Sequence, residues 1–132
     1  MKILAITLLL LIASVTANAI DFACEPRGLE QNRELADIIF VGKLVEDKTS
    51  EGYLVVNVLR RWKGSETGNI KVISSERLPI GLLSNEYYLF YLNSAENGMF
   101  SSHPCNSRVT EVEFAGKDLI LLGEPTWSSG NE

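Results

Sequence analysis

The segment Asp37–Glu46 reads Asp-Ile-Ile-Phe-Val-Gly-Lys-Leu-Val-Glu, and it is apolar at nearly every position rather than at every second one. In an extended strand successive side chains point to opposite faces, which sorts the segment into Ile38/Phe40/Gly42/Leu44 and Ile39/Val41/Lys43/Val45. Both sets carry large apolar side chains, so water must be kept from both faces. Tyr53–Trp62 has the same two-sided character. A sheet with one wet face cannot satisfy such strands. A small closed barrel can: its interior takes one face, and a helix or the chain's tail covers part of the outside.

The rest of the chain supplies the parts. Glu25-Pro26-Arg27-Gly28 is a turn, and Leu29–Ala36 reads as a short helix with Leu29, Arg33 and Ala36 on one side. Asp47–Gly52 is a polar turn between the first two strands, and Lys63-Gly64 through Gly68 punctuates before a third strand at Asn69–Ser75. A loop through Pro79 and Gly81 leads to a fourth strand, Glu86–Leu92, rich in rings at Tyr87, Tyr88, Phe90 and Tyr91. Asn97-Gly98 is a hairpin turn into a short fifth strand, Met99–Ser102. Thr110–Gly123, with Phe114 and Leu119-Ile120-Leu121-Leu122, is expected to pack outside as a helical or extended segment. Gly123 and Pro125 stop it, and 124–132 is expected to be disordered. The fold class expected is mainly β: a small five-stranded closed barrel in one domain over 20–123.

The first residues read as a targeting segment. Lys2 supplies the positive end, Ile3–Val15 is almost wholly apolar, and Ala17-Asn18-Ala19 offers small residues for cleavage between Ala19 and Ile20. A membrane span needs roughly 20 apolar residues, more than this run provides. Lipid attachment at Cys24 needs a Leu-Ala-Gly-like triplet before it, and Asp21-Phe22-Ala23 fits poorly. The expectation is export, to the periplasm or the medium, with residues 1–19 as signal peptide and no transmembrane span in the mature chain. Cleavage removes Lys2, making the chain more acidic than its formal charge of −5.

That acidity argues against a phosphate-binding surface, which needs clustered Lys and Arg. The one basic cluster, Arg60-Arg61-Lys63 around Trp62, reads as a solvated strand end, and no nucleic acid is expected as a partner. Two cysteines, Cys24 and Cys105, in a chain bound for an oxidising space favour a disulfide. If it forms within one molecule the pairing is forced, and closing a loop of about 80 residues contributes up to about 4.5 kcal/mol in the chain-entropy model.

Catalytic chemistry finds little to work with. His103 is the single histidine, close in sequence to Ser101, Ser102 and Cys105, and a Cys-His nucleophile can be drawn on paper. A disulfide at Cys105 removes the thiolate, and no strand-turn-helix nucleophile elbow is present. One histidine and two distant cysteines do not make a zinc site, and Glu46-Asp47 and Glu111/Glu113 lack the spacing of a calcium loop. No metal, cofactor or catalytic residue is expected. The rings of Tyr87, Tyr88, Phe90 and Tyr91 suggest a stacking platform for a sugar or peptide, weighed against packing in the core.

Taken in order, Cys24, the short helix, "ADIIFVGKLVE", the strand ending "VLRRWKG", then "YYLFYL", "HPCNS" and "DLILLG" form a pattern over Cys24–Gly123. It resembles the bacterial relatives of the tissue inhibitor of metalloproteinases, whose N-terminal domain is an OB-fold barrel shared with netrin modules. The resemblance implies that Cys24 pairs with Cys105. It also implies a departure. Animal members open with Cys-x-Cys and chelate the protease zinc through the first cysteine's amine and carbonyl. Here Phe22 stands in that place, and the expected first residue is Ile20. The internal cysteine that bonds the chelating one is also missing, with Leu78-Pro79-Ile80-Gly81 in its place. Zinc-chelating inhibition is not carried over.

The function expected is therefore that of an exported, monomeric, non-catalytic module that binds another protein, an extracytoplasmic protease among the partners the resemblance suggests. Its contact surface is expected to be a ridge at Phe22, Ala23, Cys24, Glu25 and Pro26, pinned by the disulfide and flanked by the loops Asp47–Gly52 and Glu76–Ser84. The alternative is a carbohydrate- or peptide-binding barrel using exposed aromatics.

Overall fold

A computed structural model describes residues 28–74, 82, 85–102 and 108–130. Its architecture grows from β1 (Ile38–Lys48), which pairs antiparallel along one edge with β2 (Tyr53–Lys63) and along the other with β4 (Tyr87–Ser94). Ile38, Phe40 and Gly42 lie opposite Leu92, Phe90 and Tyr88, while Ile39 and Val41 lie opposite Tyr91 and Leu89. The pleat sends these two sets to opposite faces. All of them are buried. The Phe40 and Phe90 rings stack on the inner side, 4.7 Å apart and 10° from parallel.

β3 (Gly68–Ile73) pairs with β2, and a tight turn after β4 brings in β5 (Phe100–Ser101). In that turn Asn97 adopts a left-handed conformation and the Ala95 amide donates to the Met99 carbonyl at 2.8 Å, as a hairpin requires. β5 then meets β3 in parallel through Val72 and Phe100. The pairings β1–β2–β3–β5–β4–β1 thus return to their start, a ring of five strands. Every member contributes to the cluster inside: Ile38 and Phe40, Val56 and Val58, Ile70 and Val72, Tyr88 and Phe90, and Phe100. Each such side chain removed from water stabilises by about 1.5–3 kcal/mol.

β1 can belong to both neighbours only by coiling strongly. Its register with β2 shifts at three points, one of them between Val41 and Gly42, and such irregularities bend a strand. At Gly42 the chain runs so close to its neighbours that an added Cβ would stand 2.7 Å from the Asn57 carbonyl and 2.9 Å from Val56 Cγ1. Glycine is required there by space.

The outer face of β1 and β4 has its own cover. After β6 (Arg108–Glu111), which pairs with β4, and one short 3-10 turn comes helix α2 (Gly116–Leu122). Ala115, Asp118, Leu119 and Leu122 fall on one side of it, at the spacing of a helix face. Ala115 and Leu122 are buried against Ile39, Val41, Leu89 and Tyr91, with Trp62, Val112 and Leu119 at the margin. Asp118 sits in this apolar layer at 2% exposure, and its Oδ2 accepts a hydrogen bond from the Tyr91 hydroxyl at 3.0 Å. A buried carboxylate survives in such a layer only with partners of this kind.

Two sequence expectations change. The segment 110–123 begins as a strand on β4 before it becomes the outer helix, so the sheet is larger than five strands. The tail 124–132, expected to be disordered, instead carries β7 (Trp127–Ser128), paired with Arg60 and Arg61 of β2; Asn131 and Glu132 lie outside the described residues. Trp127 explains the difference, because its ring packs against the inner cluster. Among the described residues no helix is long and apolar enough to cross a membrane.

The steric reading of the glycines yields a paired test. Gly42→Ala is expected to cost about 1–3 kcal/mol, as overpacked core substitutions do. Gly116→Ala, at a helix position with open space around it, is expected to be neutral or to add up to about 1 kcal/mol. Urea midpoints of the two variants check the contrast.

Candidate functional site

The ridge residues Phe22, Ala23, Cys24, Glu25 and Pro26 lie outside the described residues, as do Cys105, His103 and most of Glu76–Ser84. What is described is the helix that follows those residues in sequence. Gly28 leads into helix α1 (Leu29–Leu35), whose Gln31 side chain accepts from the Gly28 amide. This helix buries none of its own residues. It is held by its C-terminal end instead. The Lys63 ammonium donates to the carbonyls of Arg33 and Glu34 at 3.0 and 2.8 Å. Asn93 Nδ2 donates to the Leu35 carbonyl at 3.0 Å, and the Asp37 amide to that of Leu92 at 2.9 Å. A cation at the last free carbonyls of a helix also meets the negative end of its dipole. Ala36, just past the helix, is buried in the outer layer.

Between α1 and the end of β2 lies an open groove of about 430 Å³ lined by Glu30, Arg33, Glu34, Trp62 and Lys63. Trp62 is its aromatic wall, half-buried, with Nε1 donating to the Gly123 carbonyl at 2.8 Å and the Arg60 guanidinium 5.8 Å over the ring. Since Lys63 is spent on the helix carbonyls, the groove offers an indole, two carboxylates and a guanidinium. Those groups suit a polypeptide surface with both charges and one flat apolar contact.

The basic cluster around Trp62, expected from the sequence to be a solvated strand end, is half-buried and engaged by neighbouring groups. Arg60 lies over Trp62, Lys63 caps α1, and Arg61 stacks over Trp127 at 5.4 Å while its Nη1 donates to the Glu66 carbonyl at 2.6 Å. The alternation of the strand hands adjacent cations to different neighbours. Sequence gave no sign of α1 as the recipient of Lys63, because the two are 29 and 30 positions apart.

The aromatic platform is not assembled in β4. Tyr88, Phe90 and Tyr91 are at 3%, 0% and 1% exposure; only Tyr87 reaches the surface, with the Lys43 ammonium 5.5 Å over its ring. The turn Asp47–Gly52 is internally satisfied. Asp47 Oδ1 accepts from both the amide and the hydroxyl of Thr49, and Lys48 lies 3.1 Å from Glu46 and 3.7 Å from Glu51. The Thr49 hydroxyl and then its amide hold the Asp47 carboxyl below its usual range; Glu46 chiefly, and Glu51, push the Lys48 ammonium up. Among the described residues no group of three or more His, Cys, Asp and Glu is placed to hold a metal ion. Among the described residues, the large apolar side chains most open to water are Ile120 at 84% and Phe114 at 71%, on α2 and the turn before it.

No protein-family model and no curated protein matches the chain.

The turn supplies a pH prediction with a definite sign. A carboxyl whose folded value is depressed contributes stability that is present above its unfolded value, 3.8 here, and is lost as the pH falls through the folded value. Thr49→Ala is expected to move the Asp47 titration upward, toward 3.8. Carbon-detected NMR titration of the Asp47 carboxyl reads the shift directly.

Proposed function

We propose that this chain is an exported, non-catalytic binding module that engages another protein through the ridge Phe22–Pro26 and the adjoining groove of α1 and Trp62. The proposed scaffold is a closed, OB-fold-like barrel of the kind shared by tissue inhibitors of metalloproteinases and netrin modules. The ring order β1–β2–β3–β5–β4 supports that reading. Residues 1–19 act as the signal peptide, and the Cys24–Cys105 disulfide ties the ridge to the end of the sheet.

The observation that carries the proposal is the fastening of α1. Lys63, Asn93 and Asp37 hold the C-terminal end of the helix to β2 and β4, and the ridge joins directly onto its other end. A segment between a fixed helix and a disulfide has few conformations to lose on binding, and that lowers the cost of association. The partner class favoured is an extracytoplasmic protease, approached without zinc chelation because Phe22 replaces the chelating cysteine. The mixed charge of the groove, with Glu30 and Glu34 beside Arg33, suits a protein surface better than a phosphate backbone.

The test begins with capture of partners from the exported fraction, followed by affinity measurement with each purified candidate. Phe22→Ala, Trp62→Ala and the double Cys24→Ser/Cys105→Ser variant are each expected to weaken binding about tenfold or more, as loss of an anchor does. Lys71→Ala, on β3 away from the groove, leaves affinity unchanged. Equal affinities across all four variants reject the surface.

A further inference from the structure

β5 is the strand that closes the ring. It is two residues long and meets β3 through the pair Val72–Phe100 and β4 through Asn93–Ser101 and Ser94–Phe100. Its position is set by the turn from Ala95 to Met99. The Ala95 amide donates to the Met99 carbonyl at 2.8 Å, and the Met99 amide donates to the Glu96 carbonyl at 3.2 Å. Asn97 and Gly98 form the tip. Both are exposed and both are left-handed, with φ of 59° and 70°.

Asn97-Gly98 is the only Asn-Gly step in the chain. The side-chain amide of an asparagine is an electrophile close to the main-chain nitrogen of the next residue. A glycine in that next place puts no side chain in the way and leaves the backbone free to turn. A Cβ built at Gly98 meets nothing within 4 Å, so neighbouring residues do not crowd the approach either. Asn57 and Asn69 are placed in the opposite way. They lie within the paired strands β2 and β3, are followed by the branched Val58 and Ile70, and are joined to each other, Asn57 Nδ2 donating to Asn69 Oδ1 at 2.8 Å.

We propose that Asn97 is a site of spontaneous covalent modification, deamidating through a cyclic imide to isoaspartate, and that the lengthened main chain frees β5 from the ring. The Gly98 nitrogen gives up its proton and attacks Asn97 Cγ. The new C–N bond replaces the bond from Cγ to Nδ2, and ammonia leaves with the proton. Water then opens the imide in one of two ways. Breaking the bond between Cγ and the Gly98 nitrogen yields aspartate. Breaking the bond between the Asn97 main-chain carbonyl carbon and that nitrogen yields isoaspartate, whose main chain runs through Cβ and Cγ. Aspartate tolerates the left-handed region as asparagine does. Isoaspartate inserts a backbone carbon at the tip of a turn whose length sets the register of the strands it joins. The Ala95–Met99 bond and the pairing of β5 then cannot both be kept, and Phe100 is drawn from the inner cluster. The ridge and groove are not needed for this proposal.

The test uses the full chain, freshly purified and after incubation in mildly alkaline buffer. Peptide mapping is expected to show a gain of about 1 Da at Asn97, with the isoaspartyl bond identified from its backbone fragments. The rate is expected to be at least about tenfold that at Asn57 or Asn69, which react only when their strands open. Equal rates at the three positions, or an unmodified Asn97, overturn the site. The isoaspartyl fraction, separated by chromatography, is expected to unfold at a lower urea concentration than fresh protein and to exchange amide hydrogens faster at β5. Asn97→Asp adds the same charge without lengthening the backbone, and is expected to keep the urea midpoint of the unaltered chain. The proposal fails if Asn97→Asp falls as far as the isoaspartyl fraction, or if that fraction unfolds together with fresh protein.

Discussion

The pairing of β1 with β4 is the constraint on which the rest of this molecule depends, because neither face of that pair can meet water. Ile38, Phe40, Phe90 and Leu92 fill one side and Ile39, Val41, Leu89 and Tyr91 the other. The inner side is closed by wrapping the sheet into a ring, and this requires β1 to coil past Gly42 at a distance only glycine tolerates. The outer side is closed by α2, whose orientation is fixed by the Tyr91 hydroxyl on the Asp118 carboxylate. A single hydrogen bond to a charged group contributes about 1.5–3 kcal/mol. Its larger effect is on register: α2 docked a few residues along would leave Asp118 unpaired in an apolar layer.

The same arrangement determines which surfaces remain for contact with other molecules. With most of the β4 rings buried, the exposed rings among the described residues are Tyr87 and Phe114, while Trp62 lies half-buried at the margin of the outer layer. The cations beside Trp62 are drawn into the fold, one to the carbonyls of α1 and another to the ring of β7. The groove between α1 and the end of β2 is small, open and mixed in charge. A rigid body with such a rim matches the proposed protein-binding role, in which preorganisation rather than a catalytic group does the selecting.

Much of this was legible in residues because it is local. The two-sided apolar pattern of 37–46 marked a strand needing cover twice over, and both covers are present; 53–62 is buried on its inner face, while Tyr53, Val55 and Asn57 on the other are only half-buried. Asn97-Gly98 marked its turn, with both residues at positive φ. What escaped was non-local or chemically disguised. β6 is four residues with a charge at each end, and β7 is two residues among serines and glycine; each is a strand only because β4 or β2 offers an edge. The partner of the buried Asp118, the Tyr91 hydroxyl, comes from the sheet 27 positions away along the chain. Ring closure through the single pair Val72–Phe100 has no counterpart in sequence spacing. The basic run at 60–63 pointed to solvent because its recipients, α1 and β7, are distant along the chain. The ridge was proposed from resemblance alone and lies outside the described residues.

The central claim is that two apolar layers, one on each face of β1 and β4, hold this fold together. Its most direct measurement compares urea unfolding of Leu122→Asp and Ile120→Asp, two residues apart on α2. Leu122 is at 5% exposure in the outer layer and Ile120 at 84% in water. The account predicts a loss of more than about 3 kcal/mol for Leu122→Asp, from burying a charge without a partner, and a change within about 0.5 kcal/mol for Ile120→Asp. Similar, small effects at both positions would show that α2 does not seal the outer face, and the two-layer account would fail.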